Sequence, residues 1–206
     1  MTAIIAKMNE GNEGRYPDVS VGVHEARCVK VIDLGTQRSD YQGEISWKRQ
    51  CMLIWEVPSE TNSNGEPLTI SKFYTISLHE KSNLGADLTA WRGRAFTETE
   101  KRGFDISKLA GVPCMLNVVA KADGRPKITG IMPLPKTSNI PDQFHESVVF
   151  SIDDYQKGDR AAFNLLADGI RAIILRSSEL ADSQDEGDDH NGEDIPDFSN
   201  DEDVPF

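Results

Sequence analysis

Apolar residues recur at every second position along several stretches of the chain, which is the spacing of β-strands that bury one face. The stretch LTISKFYTISL is the most regular, and it places Phe73 on a face of hydroxyl side chains. VSVGVHEARCVKVIDLG, from Val19, changes phase near its middle, which predicts a long first strand with a β-bulge. WKRQCMLIWEVP predicts a second strand, and PCMLNVVAKADGRPKITGIMPL predicts a final hairpin that turns at Asp123 and Gly124.

A helical pattern separates the third predicted strand from the fourth. Ser82 is placed to cap a helix over NLGADLTAWRG, in which Leu84, Leu88 and Trp91 share one face and Gly93 marks the end. FDISKLAGV predicts one more helical turn. Three strands, a helix and two strands follow the order of an OB-fold, so we expect a mainly β chain with an OB-fold-like barrel. A β-sandwich built from the same strands is the alternative.

The pattern divides the chain into four parts. Residues 1–17 are a polar, glycine-containing lead-in and are predicted to be flexible. Residues 18–135 form the predicted barrel. Residues 136–177 contain a short strand, VVFSI, and a helix, RAAFNLLADGIRAIILRS, whose apolar face is predicted to pack on the outside of the barrel. Residues 178–206 are dense in carboxylates and poor in apolar side chains, so we expect a disordered acidic tail.

The negative charge of the chain is concentrated in that tail. The formal net charge is -12, with 34 acidic and 22 basic residues. No Lys or Arg follows Arg176, whereas 12 of the carboxylates do, which leaves 22 acidic against 22 basic residues in positions 1–176. A basic groove on the folded part is therefore compatible with the acidic total, although phosphate binding needs clustered cations.

The sequence gives no case for catalysis or for a metal. The three cysteines, Cys28, Cys51 and Cys114, are widely spaced within apolar runs, which predicts buried, reduced thiols rather than disulfides or a zinc site. The histidines show no ligand spacing, and no nucleophile–base arrangement or glycine-rich phosphate loop stands out. We therefore expect a protein that is not an enzyme and uses no cofactor.

Nothing in the apolar pattern indicates a membrane or an export signal. No apolar run approaches the ~20 residues of a membrane-spanning helix, and the apolar part of the N-terminus is too short for a signal peptide. The predicted location is the cytoplasm.

The C-terminal tip has the chemistry of a docking peptide. An acidic run is followed by an apolar end in which the terminal carboxylate adds to the side chain of Phe206, a combination suited to a pocket that takes a ring and pairs carboxylates with cations. The predicted docking residues are Asp201, Glu202, Asp203, Val204, Pro205 and Phe206. This end resembles the tip of bacterial single-stranded DNA-binding proteins, which implies docking onto replication, repair or recombination enzymes. A near-copy spans residues 194–198.

The body resembles a different family, the bacteriophage-encoded single-stranded DNA-binding proteins with an OB-fold core. The similarity is carried by SKFYTISLHEKSNLGADLTAWRGRAF, FDISKLAG, PCMLNVV and the late FNLLADGIRAIILRSSEL, which together span most of residues 19–180. This resemblance implies a non-enzymatic protein of phage replication or recombination, acting in the host cell cytoplasm.

Binding of single strands without sequence choice needs cations along the phosphates and exposed rings on which bases stack. The second and third strands, the end of the helix and the final hairpin supply candidates of both kinds. The predicted DNA-binding residues are Trp47, Lys48, Arg49, Lys72, Phe73, Arg92, Arg94, Lys121, Arg125 and Lys127. Tyr41 is a further stacking candidate.

Some of these residues have a structural alternative. The late helix could cover Trp47 and Phe73, and Arg92 and Arg94 could balance the C-terminal dipole of the helix. Trp55 and Trp91 are predicted to lie in the core.

The resulting hypothesis is a protein that coats single-stranded DNA and recruits enzymes through its tip. The alternative is an adaptor or decoy that uses the acidic tail without binding DNA. If DNA does bind, the tail carboxylates should compete with its phosphates by simple electrostatics.

Overall fold

A computed structural model describes residues 18–41, 44–139 and 142–181, and this part of the chain is mainly β, as predicted. The strands are β1 (Gly22–Tyr41), β2 (Glu44–Thr61), β3 (Pro67–Thr75), β4 (Pro113–Ala120), β5 (Pro126–Met132) and β6 (Val148–Phe150). The helices are α1 (Asn83–Arg92), α2 (Glu98–Lys101), a 3-10 turn (Ile106–Leu109), α3 (Ile152–Gln156), α4 (Ala161–Asn164), α5 (Asp168–Leu175) and α6 (Ser178–Ala181). The five predicted strands of the sheet, the helix between the third and fourth, and the short strand predicted over VVFSI are therefore present.

The strands form one sheet in the order β3-β2-β1-β4-β5, in which each neighbouring pair is antiparallel. The short β6 pairs in parallel with the middle of β1. Among the described residues no strand ladder joins β3 to β5, so the sheet is not closed into a barrel by hydrogen bonds. The free edges of β3 and β5 come near each other and leave a cleft between them.

The predicted β-bulge in the first strand is confirmed. The pairing of β1 with β2 shifts register between Cys28 and Lys30 and again between Asp33 and Gly35. The first shift inserts Val29, which changes the face to which the following side chains point. Cys28 and Val31 consequently pack in one apolar cluster, whereas Val29 packs in a second cluster.

The sheet has an apolar cluster on each side. The inner cluster contains the inward residues of β1 to β5 together with Leu84, Leu88 and Trp91 of α1, which confirms the predicted helix face. The Ser82 side chain accepts a hydrogen bond from the Gly85 N–H at 3.1 Å, and Gly93 ends α1 with a φ of 66°. α1 therefore begins and ends at the residues that the sequence predicts.

The outer cluster lies between the sheet and the C-terminal extension. Ile32, Met52 and Ile54 pack there against Phe150, Phe163 and other apolar residues of β6 and the helices α3 to α6. The extension therefore packs on the outer side of the sheet. The single late helix expected from the sequence is instead broken into α4 and α5, and α5 starts after the extended Ala167.

Ordered structure continues past the predicted start of the tail. Residues Ser178–Ala181 form α6, where Leu180 is buried in the outer cluster. Glu179 accepts hydrogen bonds from the Thr36 N–H at 2.8 Å and from the Thr36 hydroxyl at 2.7 Å, which ties α6 to β1. No helix within the described ranges is long and apolar enough to cross a membrane.

Candidate nucleic-acid interface

The residues predicted to contact DNA meet most densely at the cleft between β3 and the β4–β5 hairpin, which we call the β3–β5 cleft. Its volume is about 260 Å³. Five of the predicted residues line it, and they come from segments about 50 positions apart in the chain. They are Lys72, Phe73, Lys121, Arg125 and Lys127. The charged residues of the lining are therefore four cations and one carboxylate, that of Asp18.

One wall of the cleft is β3, whose two faces differ because successive side chains alternate. Ile70 and Tyr74 point into the inner cluster and are buried. Thr69, Ser71 and Thr75 point outward and are exposed. The C-terminal extension covers the outer side of β1 and β2 and leaves these hydroxyls accessible.

Phe73 lies on the same outward side but is only partly accessible. Its ring packs against the outer cluster and also borders the cleft. The C-terminal extension therefore covers only part of Phe73, and the residue also lines the cleft.

Lys72 borders the cleft but is held by an acidic partner. Its Nζ lies 2.7 Å from Asp87 Oδ2, and the hydroxyl of Tyr74 donates to the same oxygen at 2.7 Å. Burial and the charge of Asp87 raise the pKa of Tyr74 well above its ordinary value. The phenol therefore keeps its proton, and the positive charge of Lys72 is balanced within the protein.

The β4–β5 hairpin forms the other wall and carries the remaining cations. The turn predicted at Asp123 and Gly124 is confirmed, with Gly124 at a φ of 80° and the Lys121 N–H donating to the Arg125 carbonyl at 2.8 Å. The Asp123 carboxylate accepts from the backbone N–H of Arg125 and pairs with its side chain, and both interactions lower the pKa of Asp123. This local network fixes the shape of the turn while 57% of the Arg125 side chain stays exposed.

The three predicted residues at the start of β2 lie away from the cleft. Trp47 is exposed, so no described helix covers it, and Lys48 lies on the opposite face of the strand, half-buried. Arg49 forms a 2.5 Å ion pair with Asp33, a hydrogen bond that raises the pKa of Arg49 above its ordinary value.

Arg92 and Arg94 organise the segment that follows α1. Both pair with Glu100, and Arg92 is only 13% exposed because it lies over the rings of Phe96 and Phe104. Hydrogen bonds from Arg94, then from the Thr97 backbone and from Arg92, lower the pKa of Glu100 to about 2. Neither arginine lines the β3–β5 cleft. Their prediction as DNA contacts stays a prediction, and their geometry supports a role in positioning this segment.

The predicted core positions are buried. Trp55 is fully buried and Trp91 nearly so, and the Trp91 indole N–H donates to the Pro113 carbonyl at 3.0 Å. The three cysteines are buried and free, and burial raises the pKa of Cys28 and of Cys51 to about 12. Such thiols stay protonated and are poor nucleophiles. In the part of the chain that the structure describes, no group of three His, Cys, Asp or Glu side chains could hold a metal ion.

A buried carboxylate next to this surface was not singled out from the sequence. Glu56, on β2, is fully buried and accepts hydrogen bonds from the Phe144 and His145 N–H groups. Its Oε2 lies 3.0 Å from His145 Nδ1. Glu56 thereby fastens the segment before β6 onto the outer face, but no signal in a single sequence connects positions 56 and 145.

Several predicted features lie outside the described residues. They are the flexible N-terminus at 1–17, the near-copy at 194–198 and the docking residues Asp201, Glu202, Asp203, Val204, Pro205 and Phe206. The side chain of Tyr41 is also not described. The sequence matches no protein-family model, and a search of curated proteins finds no match either.

Proposed function

We propose that the protein binds single-stranded DNA without sequence choice and that the strand lies in the β3–β5 cleft. The observation that carries this proposal is the convergence of Lys72, Phe73, Lys121, Arg125 and Lys127 around one opening. These residue types were selected from the sequence for their chemistry alone, and two distant segments bring them together.

The proposed fold is OB-fold-like. The strand order β3-β2-β1-β4-β5, with α1 between β3 and β4 and packed into the inner cluster, supports this assignment. In an OB-fold the face of the second and third strands and the loops of β1–β2 and β4–β5 carry the ligand. Here the C-terminal extension covers the outer side of β2, so the available surface narrows to β3 and the β4–β5 hairpin.

The chemistry of the cleft suits a flexible polyanion. Lys121, Arg125 and Lys127 lie where they could neutralise phosphates, and the hydroxyls of Thr69 and Ser71 could donate hydrogen bonds to phosphate oxygens. The accessible part of Phe73 offers an apolar surface to a base. None of these contacts distinguishes one base from another, which is the property of a protein that coats single strands.

The acidic tip completes the proposal. We infer that the docking residues at 201–206 recruit replication, repair or recombination enzymes to the coated strand. In this account the protein is phage-encoded and acts in the cytoplasm of the host cell. The described body and the tail then have separate partners, DNA and enzymes.

A salt series with oligo(dT) tests the proposal, using the full-length chain and a chain truncated after Ala181. The structure places the cut there because α6 belongs to the body. We expect log–log plots of affinity against salt with a slope of about -2, from three cations that each release counterions at about -0.7. The truncated chain should bind more tightly at low salt, and the difference should fade as salt screens the tail.

The possible outcomes separate the two functions. Failure of both proteins to bind DNA in a salt-sensitive way would overturn the proposal and favour the adaptor or decoy. Equal affinities of the two proteins at every salt concentration would exclude competition by the tail and leave DNA binding in place.

A further inference from the structure

The longest hairpin of the molecule extends beyond the rest of the sheet. β3 ends at Thr75, which pairs with Gln50 of β2. Beyond this point β1 and β2 continue to pair with each other, from Thr36 opposite Arg49 to Tyr41 opposite Glu44. We call residues 36–41 and 44–49 the β1–β2 arm. Its base is fixed to the C-terminal extension, since the Gln37 amide donates to the Ile173 carbonyl at 3.1 Å.

One face of this arm carries large apolar side chains in solvent. Trp47 is 57% exposed and Ile45 56% exposed, in contrast to the buried Trp55 and Trp91. Both arm residues lie on the side of β2 that continues from the inner cluster, beyond the point where α1 and β3 could cover them. Ile76, at the end of β3, is also exposed and bonds to the Arg49 carbonyl through its N–H, which extends the apolar patch toward β3.

The apolar patch is flanked by a positive charge. Arg38 is the direct cross-strand neighbour of Trp47, so the two Cβ atoms lie about 5 Å apart on one face. The Arg38 guanidinium lies 3.7 Å from Asp40, and both side chains are about half exposed, which makes a weak and easily exchanged ion pair. An exposed indole face with an exposed arginine beside it is suited to an unstacked base and its phosphate.

The position of the arm relates it to the β3–β5 cleft. Phe73, at the cleft, pairs with Met52, and Trp47 lies five positions earlier on β2. At 3.2–3.4 Å per residue the separation along the strand is about 16 Å. Because Phe73 points outward whereas Trp47 continues the inner face, a nucleic-acid strand that contacts both must also pass around the end of β3. At the stacked spacing of about 3.4 Å per nucleotide, it therefore needs more than about five nucleotides.

We propose that the face of the β1–β2 arm formed by Trp47, Ile45 and Arg38 is a second contact for single-stranded nucleic acid, reached only by strands long enough to continue from the cleft. This inference rests on the proposed function, because the cleft holds the first part of the strand. It assigns Arg38 to the interface and predicts that affinity rises stepwise once the strand exceeds about five nucleotides.

The test measures, by fluorescence anisotropy, the affinity of labelled oligo(dT) of about 3 and about 12 nucleotides for three proteins. These are Trp47→Ala, Arg38→Ala and the unaltered chain. Trp47→Ala should weaken binding of the long strand by about tenfold and leave the short strand unaffected. Arg38→Ala should reduce the salt slope by about 0.7 for the long strand only. Leu165→Ala, which removes a side chain of 55% exposure from the C-terminal extension, is the matched control and should change neither.

Intrinsic fluorescence gives a second readout, because Trp55 and Trp91 are buried. The long strand should quench the tryptophan fluorescence of the unaltered chain but not that of Trp47→Phe. Equal affinities of Trp47→Ala and the unaltered chain for the long strand would overturn the inference and leave DNA binding in the cleft standing. A change in self-association of the DNA-free protein on Trp47→Ala, with no change in DNA affinity, would overturn it in favour of contact between copies. If the unaltered chain binds neither strand, the proposed function fails as well.

Discussion

At the scale of single residues, the proposed interface contains cations in two different situations. Arg125 is exposed at a turn, whereas Lys72 is mostly buried and lies 2.7 Å from the carboxylate of Asp87. A buried charge needs such a partner, because leaving it alone in a low-dielectric surrounding costs several kcal/mol. The partner also cancels most of the attraction that Lys72 would exert on a phosphate. Asp87 should therefore limit how strongly the cleft binds DNA.

Replacing Asp87 by Asn tests this balance. The amide keeps an oxygen that can accept hydrogen bonds from Lys72 and Tyr74, but it removes the negative charge. We expect tighter binding of oligo(dT) at low salt and a salt slope steeper by about 0.7, because one more cation acts on the phosphates. Asp154→Asn, at an exposed position of α3, is the control. Identical slopes for Asp87→Asn and the unaltered chain would show that Lys72 does not face the strand.

At the scale of elements, local patterns predicted more than long-range contacts. The alternation of β3, the caps of α1 and the turn at Gly124 depend on residues that are close in sequence, and each is present in the structure. The position of Arg92 was not predictable in this way, because its surroundings include Phe104, 12 positions away across a turn and a short helix. The contact of Glu56 with His145 was not predictable either, because the two residues are far apart in the sequence.

The burial of aromatic residues was likewise predictable from local patterns but not from long-range contacts. The sequence pattern correctly placed Trp55 and Trp91 in the core, because their apolar neighbours define the buried face. For Trp47 and Phe73 it left open whether the C-terminal extension covers them. The outcome depends on where β3 ends relative to β2 and on how far the extension reaches, and both are properties of the assembled sheet. Trp47 is exposed and Phe73 is partly covered.

The helix α6 gives a prediction at this scale. Truncation after Ser177 removes α6 together with the tail, whereas truncation after Ala181 removes the tail alone. The shorter protein loses the buried Leu180 and the hydrogen bonds from Thr36 to Glu179. Burial of one leucine and these bonds together stabilise by about 2–4 kcal/mol, so the free energy of unfolding should fall by that amount. Urea unfolding of the two truncated proteins measures it, and equal stabilities would contradict the role of α6.

At the scale of the whole molecule, the charge divides between a nearly neutral body and a strongly acidic tail. The total of -12 hides this division, since 11 of the 34 carboxylates follow Ala181, where α6 ends, and the other 23 stand against 22 basic residues. Four of the 22 basic residues line the β3–β5 cleft, and the edges of β3 and β5 form its walls. The C-terminal extension covers the outer side of β1 and β2 and leaves β3 and the β4–β5 hairpin accessible.

A matched pair of arginines tests whether single-stranded DNA lies in this cleft. Arg125 and Arg94 are both 57% exposed, and each pairs with a carboxylate at 2.8 Å, but only Arg125 lines the cleft. The measurement is the salt dependence of oligo(dT) affinity for Arg125→Ala and Arg94→Ala, each in the chain truncated after Ala181. We predict that Arg125→Ala weakens binding and lowers the magnitude of the slope by about 0.7, while Arg94→Ala leaves both unchanged. A loss for Arg94→Ala with none for Arg125→Ala would place the strand elsewhere on the protein.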